Sequence, residues 1–528
     1  MGSRIGVDVG GTFTDLVMLN DNGLLSVAKV PSTPSDPADG VMLAIDRLAE
    51  SLSTTKQGLL EDCELFVHGS TIATNTMLEG KGAKTGMVTT AGFKDSLEIR
   101  RGARADSWDH RSPFAPVLVP RYLRVGLPGR VDRDGVSIEP IDMQSLENAA
   151  QLFQGEGVES IAICLINSFV SNVQETQVSE QLGKLLPSVW ITQSSDISPI
   201  MGEYERGSTT VVNAYLLPKV VPYLRRLDKS LSANGLKHPL LLVQSNGGAG
   251  SVAQVERRPA RLLLSGPAAA VGSLDLVSKL VGTKNLISME IGGTSCDVVM
   301  MNEGEIAVAE DSLIAGYHVS LPSIDVHTVG AGGGTIASVD FGGMLRVGPN
   351  GAGAYPGPSC YSLGGTEPTV TDALLVLGRL SPGRYAGGSV ALDKSLAESA
   401  VRETVGSPLG ISTDEAAIGL VSILEQNLLH AVERISIERG HDPSQCTLVA
   451  AGGAGPMHGC SVARALGCRQ VYVPRQAGAY CALGMLNADV RRDEMKVLIG
   501  DLDTIDEAVV LAQFNQLVEL AERSIFEE

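Results

Sequence analysis

A thirteen-residue stretch occurs twice in this chain, and that duplication limits the fold more than any other feature of the sequence. Val7 to Leu19 aligns without gaps to Met289 to Met301, with six of the thirteen positions identical. Each copy has an acid, a glycine pair and a threonine in the same order: Asp8, Gly10, Gly11, Thr12 in the first, and Glu290, Gly292, Gly293, Thr294 in the second. Apolar, β-branched residues flank both turns, so each copy reads as a strand–turn–strand hairpin. Turn residues then follow at Asn20 to Gly23 and at Asn302 to Gly304. A hairpin repeated some 280 residues apart implies a duplicated structural unit, one copy per lobe.

Around these hairpins helix-like and strand-like segments alternate, which predicts an α/β architecture. A strand is expected to end at Val67 and open through His68, Gly69, Ser70 and Thr71 into a helix reaching Leu78. Residues 100–134 are rich in Arg, Asp and Pro and read as an irregular surface excursion. Apolar residues at Leu420, Leu424, Leu428, Val432 and Ile435 mark a long amphipathic helix closed by Gly440. After the strand Thr447 to Ala450 comes another glycine turn, Gly452, Gly453, Ala454, Gly455, with Pro456 suited to a first helical turn.

A tight turn with two glycines points backbone N–H groups at an anion with no side chain in the way. The expected ligand is the polyphosphate of ATP, held by Gly10, Gly11, Thr12, Thr14 and Asp15 on one side and by Gly292, Gly293 and Thr294 on the other. Asp8 and Glu290 cannot face phosphate directly without repulsion, so they suit a hydrated Mg²⁺. One would hold metal and the other orient the attacking group, with Thr12 and Thr294 adding hydroxyl donors. Gly452, Gly453 and Gly455 at a helix start suit the nucleoside end, and Gly332 and Gly333 form a further turn near the ligand. His68, Ser70, Thr71 and Asn75 are weaker candidates for a substrate site, with ordinary helix capping as the alternative. Asp325 and His327 share one face of a strand, where they either ligate a metal with His318 or hydrogen-bond each other. Arg100, Arg101 and Arg104 are either a carboxylate-recognition group or a solvated basic patch.

Composition excludes several other classes. The formal net charge of −19 opposes binding to nucleic acid or an anionic membrane. Aromatic residues make up only 4%, so no base-stacking platform is expected. No apolar run approaches the roughly 18 residues needed to span a bilayer. Eight scattered cysteines without a CxxC pair fit reduced thiols in a cytoplasmic protein.

The order of these turns resembles the actin, Hsp70 and sugar-kinase superfamily, with ribonuclease H-like ATPase lobes around a nucleotide cleft. More narrowly, the chain resembles the hydantoinase/oxoprolinase family. The matching stretches are Ile5 to Asp15, His68 to Asn75, Glu205 to Tyr215, Gln244 to Gly248, Ser265 to Ala268, Val329 to Gly334, Thr369 to Ala373 and Gly452 to Pro456. The resemblance implies an N-terminal region over 1–190, a hydantoinase A/oxoprolinase domain over 191–492, and the start of a C-terminal region over 493–528. It also implies ATP-dependent opening of a cyclic amide such as 5-oxoproline, a hydantoin or a lactam, with a HyuB-like partner in a homo- or hetero-oligomer. The alternatives are the ATP-using subunit of a ketone carboxylase and an Hsp70-like regulatory ATPase. The second hairpin departs from the family's usual Asp and Thr by having Glu290 and Cys296.

Overall fold

The computed structural model describes residues 2–33, 36–102, 108–385, 388, 390–501 and 503–526. Both copies of the repeat form hairpins, and each hairpin starts a mixed sheet. The first sheet is built from β1 (Ser3–Val9), β2 (Phe13–Leu19), β3 (Leu25–Pro31), β4 (Cys63–Ser70), β5 (Leu240–Val243) and β6 (Ala249–Ser251), in the order β6-β5-β4-β1-β2-β3. β1 to β3 run as an antiparallel meander, while β4 is parallel to β1 and β5 parallel to β4. The second sheet repeats this plan with β7 (Leu286–Ile291), β8 (Cys296–Asn302), β9 (Val326–Val329), β10 (Thr447–Ala451) and β11 (Gln470–Tyr472). There β8 is antiparallel to β7, β9 antiparallel to β8, β10 parallel to β7, and β11 parallel to β10. The duplication therefore extends well beyond the thirteen aligned residues.

Helices cover the sheets because strands in a parallel arrangement must be buried on both faces. α1 (Pro37–Ser51) starts on Asp36, whose side chain accepts from the Ala38 N–H, and it buries Val41, Ala44, Ile45 and Leu48. α2 (Glu203–Ala233) contains Pro218 and Pro222, yet it stays helical because most of its length is buried. It packs between the core of the first lobe, through Leu216 and Leu224, and a second core, through Val211 and Ala214. That second core belongs to a four-stranded parallel sheet ordered Trp190–Gln193, Ser160–Cys164, Thr85–Thr90, Arg124–Leu127. Within residues 108–134 the expected irregular excursion is interrupted, because Arg124–Leu127 supplies an edge strand. The strand is only four residues long and has Arg124 buried within it, which hides its apolar signal.

Two helices run between the lobes. α3 (Ser265–Val281) follows the first sheet, and α6 (Tyr480–Met485) follows the second. They cross where Gly272 meets Gly484, and a methyl on either glycine would land on backbone of the other helix. Ala268, Ala269, Leu274, Tyr480, Cys481 and Met485 form a common core there with Val67 of the first sheet and Val449 of the second. The remaining helices of the second lobe include α4 (Thr413–Ile435), closed at its start by a Ser412–Glu415 capping box, and α5 (Gly455–Leu466). The first sheet takes β5 and β6 from beyond residue 191, so the lobes interleave across the division expected there.

Candidate active site between the two hairpins

The two glycine hairpins face each other at the lobe boundary. A Cβ placed on Gly293 would lie 3.1 Å from the Thr12 hydroxyl. Their internal geometry is the same: the Gly10 N–H donates to the Phe13 carbonyl at 3.0 Å, and the Gly292 N–H donates to the Ser295 carbonyl at 2.9 Å. Gly11, Gly293 and Thr294 are exposed and Thr12 is half-buried. Their amides have no acceptor in the protein among the described residues, which leaves them free to bind an anion.

Antiparallel pairing places a row of polar side chains on the cleft face of each sheet. Asp8 lies opposite Asp15, and Asp15 opposite Lys29. In the second lobe Glu290 lies opposite Asp297, and Asp297 opposite Thr328. Lys29 Nζ donates to both Asp15 oxygens at 2.7 Å, and the Thr328 hydroxyl donates to Asp297 Oδ1 at 2.6 Å. Glu290 Oε2 accepts from the Cys481 thiol at 2.6 Å. Asp8 Oδ1 is buried with no hydrogen-bond partner among the described residues.

Such crowding is costly for carboxylates. Burial, reinforced by Asp15 and Asp297 against the opposing effect of Lys29, pushes the Asp8 carboxyl from its ordinary 3.8 to about 7. Burial pushes Glu290 to about 8, with the Cys481 thiol opposing and Asp8, Asp297 and Asp15 adding to the rise. Asp297 rises to about 6 through burial, opposed by the Thr328 hydrogen bond. Four acids around one lysine need further positive charge, and a buried orphan oxygen on Asp8 is the position where a cation would relieve the most strain. The residues therefore fit a hydrated divalent ion held between Asp8 and the acids of the second lobe.

The other expected site residues divide into support and surface. Thr14 is buried on the far side of its strand, 3.5 Å from the Ser32 hydroxyl, so it does not face the cleft, because strand alternation turns it toward the core. Asp15 is committed to Lys29 rather than exposed to phosphate. Gly332 and Gly333 are corrected from ligand contacts to braces. The Gly333 N–H donates to the Gly292 carbonyl at 3.0 Å and the Gly332 N–H to the Thr335 hydroxyl at 2.7 Å, while the Gly334 N–H reaches the Gly293 carbonyl at 2.7 Å. This close approach of two backbones needs glycine, since a Cβ on Gly332 would sit 2.7 Å from the Gly293 carbonyl carbon. In the last turn Gly452 adopts φ +78 and spends its N–H on the Ala477 carbonyl at 2.7 Å. Gly453 is exposed and Gly455 opens α5. The Ala454 N–H donates to the Ile291 carbonyl at 3.0 Å, which ties this turn to the second hairpin.

His68 is a scaffold residue rather than a substrate contact. Its Nδ1 lies 3.1 Å from the Val7 carbonyl and its Nε2 2.6 Å from the Tyr223 hydroxyl, both buried. Burial lowers its pKa to about 4, so it stays neutral. The Ser70 hydroxyl accepts from the Ile72 N–H at 3.3 Å, and Asn75 Nδ2 donates to the Thr71 hydroxyl at 3.1 Å. Thr71 lies beside Gly266 at the start of α3, close to Asp8.

Asp325 and His327 do not form the expected metal pair or a mutual hydrogen bond. Asp325 is ion-paired with Arg439, and His318 Nδ1 lies 3.0 Å from Asp311. The arginine arrives from the end of the second lobe's long helix, a partner remote in sequence. Among the described residues no group of three or more His, Cys, Asp or Glu side chains could hold a metal ion by itself, so any cation between the lobes depends on water and ligand oxygens as well. Arg101 pairs with Glu205 at 2.6 Å and Arg100 with the Ala115 carbonyl, while Arg104 lies outside the described residues. Asp372 caps its helix in a box with Thr369, and Cys296 is buried, which pushes its thiol well above its ordinary value.

Sequence reasoning missed Lys29, Asp297, Thr328 and Cys481. Asp297 was visible as the partner of Asp15 in the repeat. Lys29 and Thr328 needed the strand register. Cys481 had no sequence signal, being 191 positions from Glu290. Among the described residues no helix is long and apolar enough to cross a membrane.

Comparison with known proteins shows the family and the fold. Residues 206–494 match the family model described as hydantoinase/oxoprolinase, and residues 4–186 match the model of the hydantoinase/oxoprolinase N-terminal region. The chain is 39% identical to caprolactamase subunit alpha of Pseudomonas jessenii, covering 99% of this chain and 75% of that one. The crystal structure of the ATP-dependent caprolactamase from Pseudomonas jessenii superposes with a TM-score of 0.87 at 37% identity, over 99% of this chain and 76% of that one. The nucleotide-free structure of acetone carboxylase, from work on ATP-dependent acetone carboxylation, also gives a TM-score of 0.87, at 26% identity over 98% of this chain and 76% of that one. A duplicated α/β fold with paired glycine hairpins, matched over residues 4–186 and 206–494, places the chain in the hydantoinase/oxoprolinase family.

Proposed function

We propose that this chain is the ATP-using subunit of an enzyme that opens a cyclic amide, such as 5-oxoproline, a hydantoin or a lactam. The observation that carries the proposal is the apposition of the hairpins, with Thr12 against Gly293 and unspent amides on both sides. ATP would lie with its β- and γ-phosphates between the hairpins and its nucleoside and α-phosphate toward Gly453 and the start of α5, whose N-terminus favours the negative charge of that phosphate. Mg²⁺, held by Asp8 with Glu290 and Asp297 nearby, would supply neutralisation of phosphate charge. Free amides of Gly11, Thr12, Gly293 and Thr294 would orient the terminal phosphoryl group toward the acyl oxygen. The amide oxygen–phosphorus bond forms as the bond to ADP breaks. Water then adds at the activated carbon and the ring C–N bond opens, the nitrogen leaving as the protonated amine and the acyl group remaining as an acyl phosphate, which a second water hydrolyses to the free acid and inorganic phosphate. A HyuB-like partner is the proposed site of that second half.

A second reading, the ATP-using subunit of a ketone carboxylase, is supported by the acetone carboxylase likeness. The two separate by substrate. Phosphate release should be measured with lactams, hydantoins and 5-oxoproline, and with ketones plus bicarbonate, each with and without the neighbouring subunit. Stimulation by a cyclic amide supports the first reading, and stimulation only by ketone with bicarbonate replaces it with the second. Absence of stimulation by either class, with the partner present, removes both.

A further inference from the structure

The two copies of the repeat differ at the acid: Asp8 in the first hairpin, Glu290 in the second, one methylene longer. A longer side chain has an extra rotatable bond and so an extra way to miss its geometry. The surroundings differ to match. Asp8 Oδ1 has the start of α3 beside it, at Gly266, and no hydrogen-bond donor among the described residues. Glu290 Oε2 instead receives the Cys481 thiol at 2.6 Å.

Cys481 sits on α6, the helix that crosses α3 at the Gly272–Gly484 contact. The same helix reaches the first sheet, where Ala482 closes over Gly6 and Met485 over Gly69. Its neighbour Tyr480 accepts the Ser273 hydroxyl of α3 through its carbonyl at 2.6 Å. The thiol is therefore fixed by the lobe interface and not by the second hairpin. Cys481 is buried and its own acidity is suppressed by burial beside Glu290, so it remains a neutral S–H donor.

Resting on the ATP-cleft reading above, we propose that Cys481 is a positioning residue: its S–H, anchored on the helix between the lobes, fixes the carboxylate of Glu290 toward the hairpin of the first lobe. Without the donor, Glu290 samples rotamers that turn the oxygen away from the cleft. Misplacement of a reacting or charge-holding group by about 1 Å costs on the order of a hundredfold in rate.

Three variants and one spectroscopic measurement test this. In the full chain with its partner, Cys481→Ala should lower kcat between roughly ten- and a hundredfold, with the KM for ATP and the melting temperature near wild type. Cys481→Ser, which keeps a donor, should recover most of the rate. In a Glu290→Asp background the acid is too short to reach the thiol, so adding Cys481→Ala should cost nothing further. A kcat for Cys481→Ala equal to wild type, or effects that simply multiply in the double variant, overturns the proposal. The infrared S–H stretch, assigned by subtraction of the Cys481→Ala spectrum, reads the contact without any turnover. It should shift in Glu290→Ala; an unshifted band refutes the positioning role even if the chain proves to be an active ATPase. If instead wild type hydrolyses no ATP while the band does shift, the catalytic reading fails and the thiol–carboxylate contact stands.

Discussion

At the scale of single residues the site is a set of charges kept in an unfavourable place. Asp8 is paired in register with another acid and has a buried oxygen without a donor, so its cost falls on the apo protein. Asp8→Asn should therefore raise the melting temperature of the metal-free chain while reducing MgATP turnover by about 10²-fold or more. Parallel thermal melts and phosphate-release assays check both halves, and a variant that is less stable in the apo form contradicts the strain described here. His68 gives the opposite kind of residue, one held neutral to serve the fold. Its folded value of about 4 lies below the ordinary 6.5, so the unfolded chain binds the extra proton first. Stability is then fully present above about pH 6.5 and lost as pH falls toward 4, by roughly 3 kcal/mol at most. Urea unfolding of wild type and His68→Gln at pH 7 and pH 5 should show a smaller acid loss for the variant.

Among the elements, the crossing of α3 and α6 is the most demanding junction. Gly484 sits against the Ala269 carbonyl and Gly272 against the Gly484 carbonyl, so neither position has room for a methyl group. Gly484→Ala should cost about 1–3 kcal/mol by overpacking, and it should move Cys481 with the helix. The measurable outcome is a lowered midpoint in denaturant together with reduced turnover; a midpoint unchanged within error would mean that the helices separate without cost. The glycine turn at Gly332 to Gly334 shows how the sequence misleads at this scale. Its composition matched a ligand cradle, but its amides at Gly333 and Gly334 are spent on carbonyls of the second hairpin. Glycine allows a close approach to another backbone as readily as to a phosphate, and composition does not distinguish the two.

For the whole molecule, two lobes meeting at paired hairpins predict that nucleotide ties them together. MgATP at a hundred times its dissociation constant should stabilise the chain by about 2.7 kcal/mol, and Asp8→Asn should lose most of that gain. Calorimetric melts with and without MgATP test it, and an unshifted wild-type transition would count against the nucleotide cleft. Much of this architecture was legible in the sequence. The thirteen-residue repeat announced two equivalent hairpins, the alternation of elements announced α/β layers, and the turns at residues 10 and 292 marked where the lobes meet, because local chain chemistry sets tight turns and strand periodicity. The fold decided what depends on neighbours distant in the chain. Strand register set Asp8 beside Asp15 and Glu290 beside Asp297, helix crossing brought Cys481 to Glu290, and burial kept His68 for the core and gave Asp325 to Arg439. Hydrogen bonds and charge pairs form between side chains that packing brings together, whatever their separation along the chain, and packing is a property of the assembled sheets and helices.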